Sequence, residues 1–141
     1  ESAMEPTYSV SEKFFVNRAL YKVSSPKRGD VIVFKTSASD SAALHIRRVI
    51  GLPGETVQVK DGKIYINGKV YEENGAYQDM TDGGLANSAI TLESGEYFVL
   101  GDNRNNSEDS RFSDIGNISK KYIVGKVWFT VSPKNKIGFI K

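Results

Sequence analysis

Between Thr56 and Tyr71 the chain alternates and turns twice. Val57 and Val59 are separated by polar residues, Asp61-Gly62 follows, Ile64 and Ile66 alternate again, and Asn67-Gly68 precedes Val70. Asp-Gly and Asn-Gly supply the positive φ angles of tight hairpin turns, so this stretch predicts an antiparallel meander. A lone hairpin ribbon is marginal in water, and further strands must cover its apolar face.

The remaining chain supplies candidates. Val31-Ile32-Val33-Phe34 is a short β-branched and aromatic run bounded by turn residues, which predicts a fully buried strand. Phe14-Phe15-Val16 and Ala19-Leu20-Tyr21 are apolar enough for strand or strand edge, and Ile90 to Leu100 returns to strand after a polar stretch. Tyr122 to Val131 predicts a long strand kinked or bulged near Gly125. In Leu44 to Gly51, alternation sets His45 and Arg47 on one face and Leu44, Ile46 and Arg48 on the other. Thr36 to Ala43 and Glu72 to Ala89 read as surface loops. No stretch sustains a helical period. The expected fold is mainly β, with little or no helix, as one domain over 1–141 in which 56–95 forms a smaller inserted β lobe and surface loop.

Composition narrows the chemistry. A formal net charge of +2 over 141 residues, with Lys and Arg dispersed, gives no case for nucleic-acid binding. There is no cysteine and one histidine, His45, so neither disulfides nor a thiolate or His-based metal cluster is expected. No cofactor motif is present: the Gly residues do not form a phosphate cradle, and the acidic residues around Asp102 lack the spacing of a Ca²⁺ loop. No run reaches the roughly 18 apolar residues of a membrane span. The abrupt start at Glu1 without an initiator Met suggests a piece of something longer.

Gly101 to Arg111 is nearly all polar or charged and follows the apolar run Tyr97-Phe98-Val99-Leu100. Asp, Asn and Ser bond to neighbouring backbone and favour turns, while Arg104, Asp109 and Arg111 are close enough to pair. This is expected to be a tightly cross-linked loop at a strand end. An arginine inside a strand is costly to bury unpaired, so Arg48 needs a carboxylate, which the loop around Asp109 is placed to supply.

Four colinear segments then carry a family resemblance. Met4-Glu5-Pro6-Thr7 resembles a Ser-Met-x-Pro-Thr box that Val16-Asn17-Arg18 continues, and Arg28-Gly29-Asp30-Val31-Ile32-Val33-Phe34 resembles the next box. Arg47 to Glu55 is similar to Lys-Arg-Val-Ile-Gly-x-Pro-Gly-Asp/Glu, and Gly101 to Arg111 to Gly-Asp-Asn-Arg-Asp-Asn-Ser-x-Asp-Ser-Arg, with Asn105 for the usual Asp. Together they resemble the type I signal peptidases, membrane-anchored serine endopeptidases that remove signal peptides with a Ser-Lys dyad. The resemblance implies a hairpin-rich antiparallel fold of two small β lobes, no cofactor or metal, and a place on the extracytoplasmic face of the bacterial plasma membrane, through an anchor outside this chain.

The resemblance also assigns roles. The nucleophile position is occupied by Ala3 and the general-base position by Arg47, so both halves of the dyad are altered. A methyl group cannot attack a carbonyl, and an arginine, with pKa above about 12, cannot take a proton. Ser107 matches the Ser that holds the catalytic Lys; Asp109, Arg111 and Arg48 match the salt-bridged groups behind it. Met4, Tyr8, Phe14, Val33, His45 and Ile46 match walls of the pockets that receive a signal peptide as an added strand. Glu1 stands at the oxyanion-partner position, and Ser11-Glu12 replaces the family's Gly-Asp. Ser2 and His45 are candidate substitutes for the missing nucleophile and base, though extended geometry turns Ser2 away and neither restores a nucleophile at position 3.

The expected function is that of a signal peptidase-like domain unable to cleave as written. Either an enzyme has been inactivated by substitution, or the chain is a natural non-catalytic homologue that binds exported proteins, such as pilins, in an assembly role. A self-cleaving Ser-Lys repressor of related fold is a third reading that the four boxes disfavour.

Overall fold

The computed structural model describes residues 2–8, 13–39, 41–131 and 137–139. Its strands are β1 (Lys13–Asn17), β2 (Val31–Phe34), β3 (His45–Gly51), β4 (Thr56–Lys60), β5 (Lys63–Ile66), β6 (Lys69–Val70), β7 (Ile90–Thr91), β8 (Glu96–Leu100), β9 (Ile118–Ser119), β10 (Ile123–Val131) and β11 (Ile137–Phe139). All pairings among them are antiparallel. The larger sheet runs β1-β10-β2-β3-β8-β9, with β11 also on β10; the smaller runs β6-β5-β4-β7. The mainly-β expectation holds.

The two sheets follow from turn chemistry and burial. Asp61 (φ 53°) with Gly62 (φ 76°) and Asn67 (φ 51°) with Gly68 (φ 80°) make both hairpin turns left-handed at their two central residues, as those dipeptides predict. β2 is buried at every position, and the bulge expected near Gly125 is a register shift between Ile123 and Gly125 where β10 meets β2. The chain leaves the large sheet after Gly51 and re-enters it at Glu96, so β4 to β7 lie between two strands, β3 and β8, that pair with each other. Val57, Val59, Ile64 and Met80 pack with Ile50, Leu92, Phe98 and Leu100 in the apolar cluster that joins the sheets.

Three readings are corrected. Ala19-Leu20-Tyr21 is not strand: Leu20–Val23 is a one-turn helix, α1, because Asn17 Oδ1 accepts from the N–H groups of Ala19 and Leu20 and closes a turn there. Ile90 to Leu100 is two strands in two sheets, separated by a turn in which Glu96 N–H donates to Glu93 O. Glu72 to Ala89 is more than surface loop, since Met80 and Ala86 are buried and Gly84–Asn87 forms a 3₁₀ turn. No helix among the described residues is long and apolar enough to cross a membrane.

Candidate active site

The loop Gly101 to Arg111 is built on three buried guanidinium groups, each gripping a carboxylate with two bonds. Arg48 on β3 reaches Asp102 through Nε (2.8 Å) and Nη2 (2.7 Å). Arg104 holds Glu73 through Nη1 (2.6 Å) and Nη2 (2.7 Å). Arg111 holds Asp109 through Nε (2.8 Å) and Nη2 (2.9 Å). Bidentate geometry of this kind suits the planar guanidinium fork and fixes orientation as well as charge. Burial pulls the Arg48 guanidinium pKa down, but the bonded Asp102 outweighs it and leaves it above the ordinary arginine value.

Two expectations about these charges change. Arg48 is served by Asp102, not by Asp109, because Arg48 lies opposite Leu100 in the β3–β8 register and so beside the first residues after that strand. Arg104 pairs outside the loop, with Glu73. Sequence reading also missed Glu73 and Tyr77, which lie in a segment without apolar period. The Tyr77 ring lies 4.1 Å under the Arg104 guanidinium, and Arg48 stands 6.0 Å away on the same ring. Burial, aided by nearby Asp102, pushes the Tyr77 hydroxyl pKa up. The one available signal is composition: two Glu and two Tyr within the seven residues Tyr71 to Tyr77 of an otherwise small-residue stretch.

The loop clasps the N-terminal turn. Asn103 N–H donates to Ala3 O (2.8 Å), and its side-chain amide to Ser2 O (3.2 Å). Asn106 donates to Ser2 Oγ (3.3 Å), and the Thr7 hydroxyl to the Asp102 carboxylate. Contact is so close that a Cβ on Gly101 would lie 2.6 Å from Ser107 Cβ and 2.7 Å from Ala3 O. Only glycine fits where the turn carrying Ala3 meets the loop carrying Ser107.

Arg47 is 1 % exposed; its Nε donates to Glu108 O and its Nη1 to Ile46 O, both at 2.7 Å. Asp109 is fully buried, accepting from Gly101 N–H (3.0 Å) as well as from Arg111. The Ser107 hydroxyl oxygen is buried with no hydrogen-bond partner. Ala3, Gly101, Ser107 and the Arg47 anchor Glu108 therefore belong to one locus. Its chemistry is limited: Ala3 contributes a methyl group, and Arg47 a guanidinium, which donates hydrogen bonds and accepts none.

Of the expected pocket walls, Met4, Tyr8 and Val33 share one buried cluster with Val31 and Val127, and Ile46 packs against it. His45 lies on the face of β3 that it shares with Arg47, its ring 5.6 Å from that of Phe34, outside this cluster. Glu1, Ser11, Glu12 and the Phe14 side chain lie outside the described residues. No group of three or more potential metal ligands occurs among the described residues.

This architecture has relatives. The profile of the signal peptidase family, peptidase S26, matches residues 1–132, and the chain belongs to that family. Within it, the chain is 39 % identical over 142 residues to signal peptidase I of Leptolyngbya laminosa, covering 96 % of this chain and 68 % of that protein. It is 32 % identical over 148 residues to the probable signal peptidase I-2 of Synechocystis, covering 99 % of this chain and 63 % of the relative. The crystal structure of a signal peptidase I from Enterococcus faecalis superposes with a TM-score of 0.54 at 33 % identity, covering 72 % of this chain and 95 % of that one.

Proposed function

We propose that this chain is a signal peptidase I-like domain that works at the extracytoplasmic face of the bacterial plasma membrane, binds signal-peptide segments of exported preproteins, and does not cleave them. The family reaction needs a hydroxyl nucleophile activated by a base within hydrogen-bond reach. By family position those groups would stand at Ala3 and Arg47, where this chain has a methyl group and a guanidinium, which offers no acceptor for a proton. The observation that carries the reading is the orphaned Ser107 oxygen beside Gly101 and Ala3. It is a hydrogen-bond acceptor waiting for an ammonium donor that a lysine at position 47 would supply. Asp109 and Arg111 retain the rigid support behind that oxygen.

Recognition is the function left. An extended segment laid beside Ala3 would meet Met4, Tyr8, Val33 and Ile46, a shallow apolar surface suited to small side chains such as alanine, while main-chain bonds supply affinity. His45 is not assigned to that surface.

A natural binding or assembly role for exported proteins, as against an enzyme disabled by substitution, is favoured by how Arg47 is housed. Both 2.7 Å bonds and near-complete burial show a site that accommodates the larger guanidinium without leaving it exposed. The test is the pair Ala3→Ser and Arg47→Lys, assayed on a preprotein with alanine at the two specificity positions, beside a binding measurement on the parent chain. The parent should bind and not cleave. A double variant that cleaves points to a disabled enzyme, one that stays inert to a dedicated binder, and cleavage by the parent would sink the reading.

A further inference from the structure

Away from the dyad positions, a second concavity opens between α1 and the start of β10. Its volume is about 340 Å³ and its lining is Arg18, Tyr21, Lys22, Lys120, Ile123 and Val124. Three cations face one space, and among the described residues no acidic side chain lines it. The contrast with the loop 101–111 is sharp, because there Arg48, Arg104 and Arg111 each hold a carboxylate. The described ion pairs use Arg28, Arg48, Lys63, Arg104, Arg111 and Lys126, and none of the three cations here. Lys120 Nζ has a hydroxyl partner, Ser25 Oγ at 3.1 Å, which orients the ammonium without neutralising it. Asp30, which bonds the Tyr21 that lines the concavity, is already engaged by the Tyr21 hydroxyl (2.7 Å), Lys27 N–H (3.0 Å) and Lys126 (3.3 Å).

The walls are held before any ligand arrives. Asn17 Oδ1 closes the turn that carries Arg18, Tyr21 is tied to Asp30, and Ser24 Oγ donates back to Leu20 O. On the facing side, Lys120 N–H donates to Gly95 O, and Tyr122 O accepts from Lys35 N–H. Three like charges around one concavity repel one another, and an anion placed among them removes that cost. A pre-formed site loses little ordering entropy on binding.

We propose that this concavity binds a phosphate ester. A phosphate carries about −1.5 to −2 charges near neutral pH and three acceptor oxygens, which suits one guanidinium fork and two ammonium groups. Tyr21, Ile123 and Val124 form an apolar wall for the carbon side of the ester, which a bare inorganic anion would not use. The cavity lies near the small end of the roughly 300–1,000 Å³ range of ligand pockets, so one phosphate group and a short ester arm fill it. The two sources of that chemistry are a soluble phosphate and a phospholipid headgroup.

The test measures the 141-residue chain by NMR titration with inorganic phosphate and with glycerol phosphate, and by co-sedimentation with phosphatidylcholine vesicles with or without phosphatidylglycerol. One variant combines Arg18→Gln, Lys22→Gln and Lys120→Gln; a control of equal net charge combines Lys27→Gln, Lys60→Gln and Lys69→Gln. The expected result is phosphate binding that shifts the resonances of residues 18–22 and 120–124, tighter for the ester, and weakened about tenfold or more in the first variant only. Vesicle binding that needs phosphatidylglycerol and the same three residues identifies the headgroup; ester binding without it identifies the soluble ligand. Equal losses in both variants would reduce the effect to net charge and overturn the proposal, as would no saturable phosphate binding in the parent.

Discussion

The meander from Thr56 to Val70 and the loop from Gly101 to Arg111 are both dense in polar residues, yet they are held by opposite means. In the meander each turn is made by its own two residues, and β4 and β5 pair in continuous register from Val57–Ile66 to Lys60–Lys63. In the loop the main anchors arrive from elsewhere: Arg48 from β3, Glu73 from the segment after β6, and Ser2, Ala3 and Thr7 from the N-terminal turn. A structure made from local turn chemistry tolerates single changes. One made from buried charge pairs does not, because removing one partner strands the other in a low-dielectric interior.

Four measurements test that contrast. The largest possible effect belongs to the dyad positions that the loop supports: with Ala3→Ser and Arg47→Lys, cleavage of an alanine-bearing preprotein raised from background by about a thousandfold or more marks a disabled enzyme with a competent supporting loop, and cleavage that stays at background marks the dedicated binder. Next, Asp102→Asn leaves Arg48 buried without its counter-charge and should cost about 3–5 kcal/mol in chemical denaturation. A loss no greater than that of a hairpin change would break the distinction between the two regions. Gly68→Ala supplies the comparison. With nothing within 4 Å of the added Cβ and φ at +80°, it meets only backbone strain, about 1–2 kcal/mol.

The smallest effect lies between the two regions and depends on pH. Arg28 grips Glu55 through two bonds (2.6 and 2.8 Å) and holds its carboxyl below the usual glutamate range. A depressed carboxyl pKa contributes stability that is complete above the ordinary value of about 4.3 and is lost as pH falls through the lower folded value. Glu55→Gln should therefore lower stability near neutrality and flatten the acid limb of the stability curve. An unchanged acid limb would show that the pair, which is partly exposed to water, contributes no linkage.

Legibility in the sequence followed the same division. The hairpins, the buried β2 and the bulge at Gly125 could be read because alternation, turn dipeptides and glycine placement act over a few residues. The polar loop was recognisable as a structured unit from its Asn, Asp and Ser content, and the family resemblance gave Ser107, Asp109, Arg111 and Arg48 expected roles. The sequence points to the loop as the source of Arg48's carboxylate but not to Asp102 within it, and it gives no pattern that picks out Glu73 and Tyr77, because charge pairing across 31 or 54 positions leaves no periodic trace. Alternation sets His45 on the face of β3 opposite Ile46, and the tilted contact with Phe34 follows that alternation.

By itself, the sequence determined the β architecture, the two type-specific hairpin turns and the chemical identities at positions 3 and 47, all of which depend on residue type or near neighbours. Only the tertiary structure decided which carboxylates pair with Arg48, Arg104 and Arg111, that Ser107 keeps an unanswered hydroxyl beside Gly101, and that Arg18, Lys22 and Lys120 face a common cavity. Those outcomes depend on where the β3–β8 register and the α1 turn bring distant side chains. Charges and hydrogen-bonding groups select partners by distance in space, and the order of residues along the chain does not encode that distance directly.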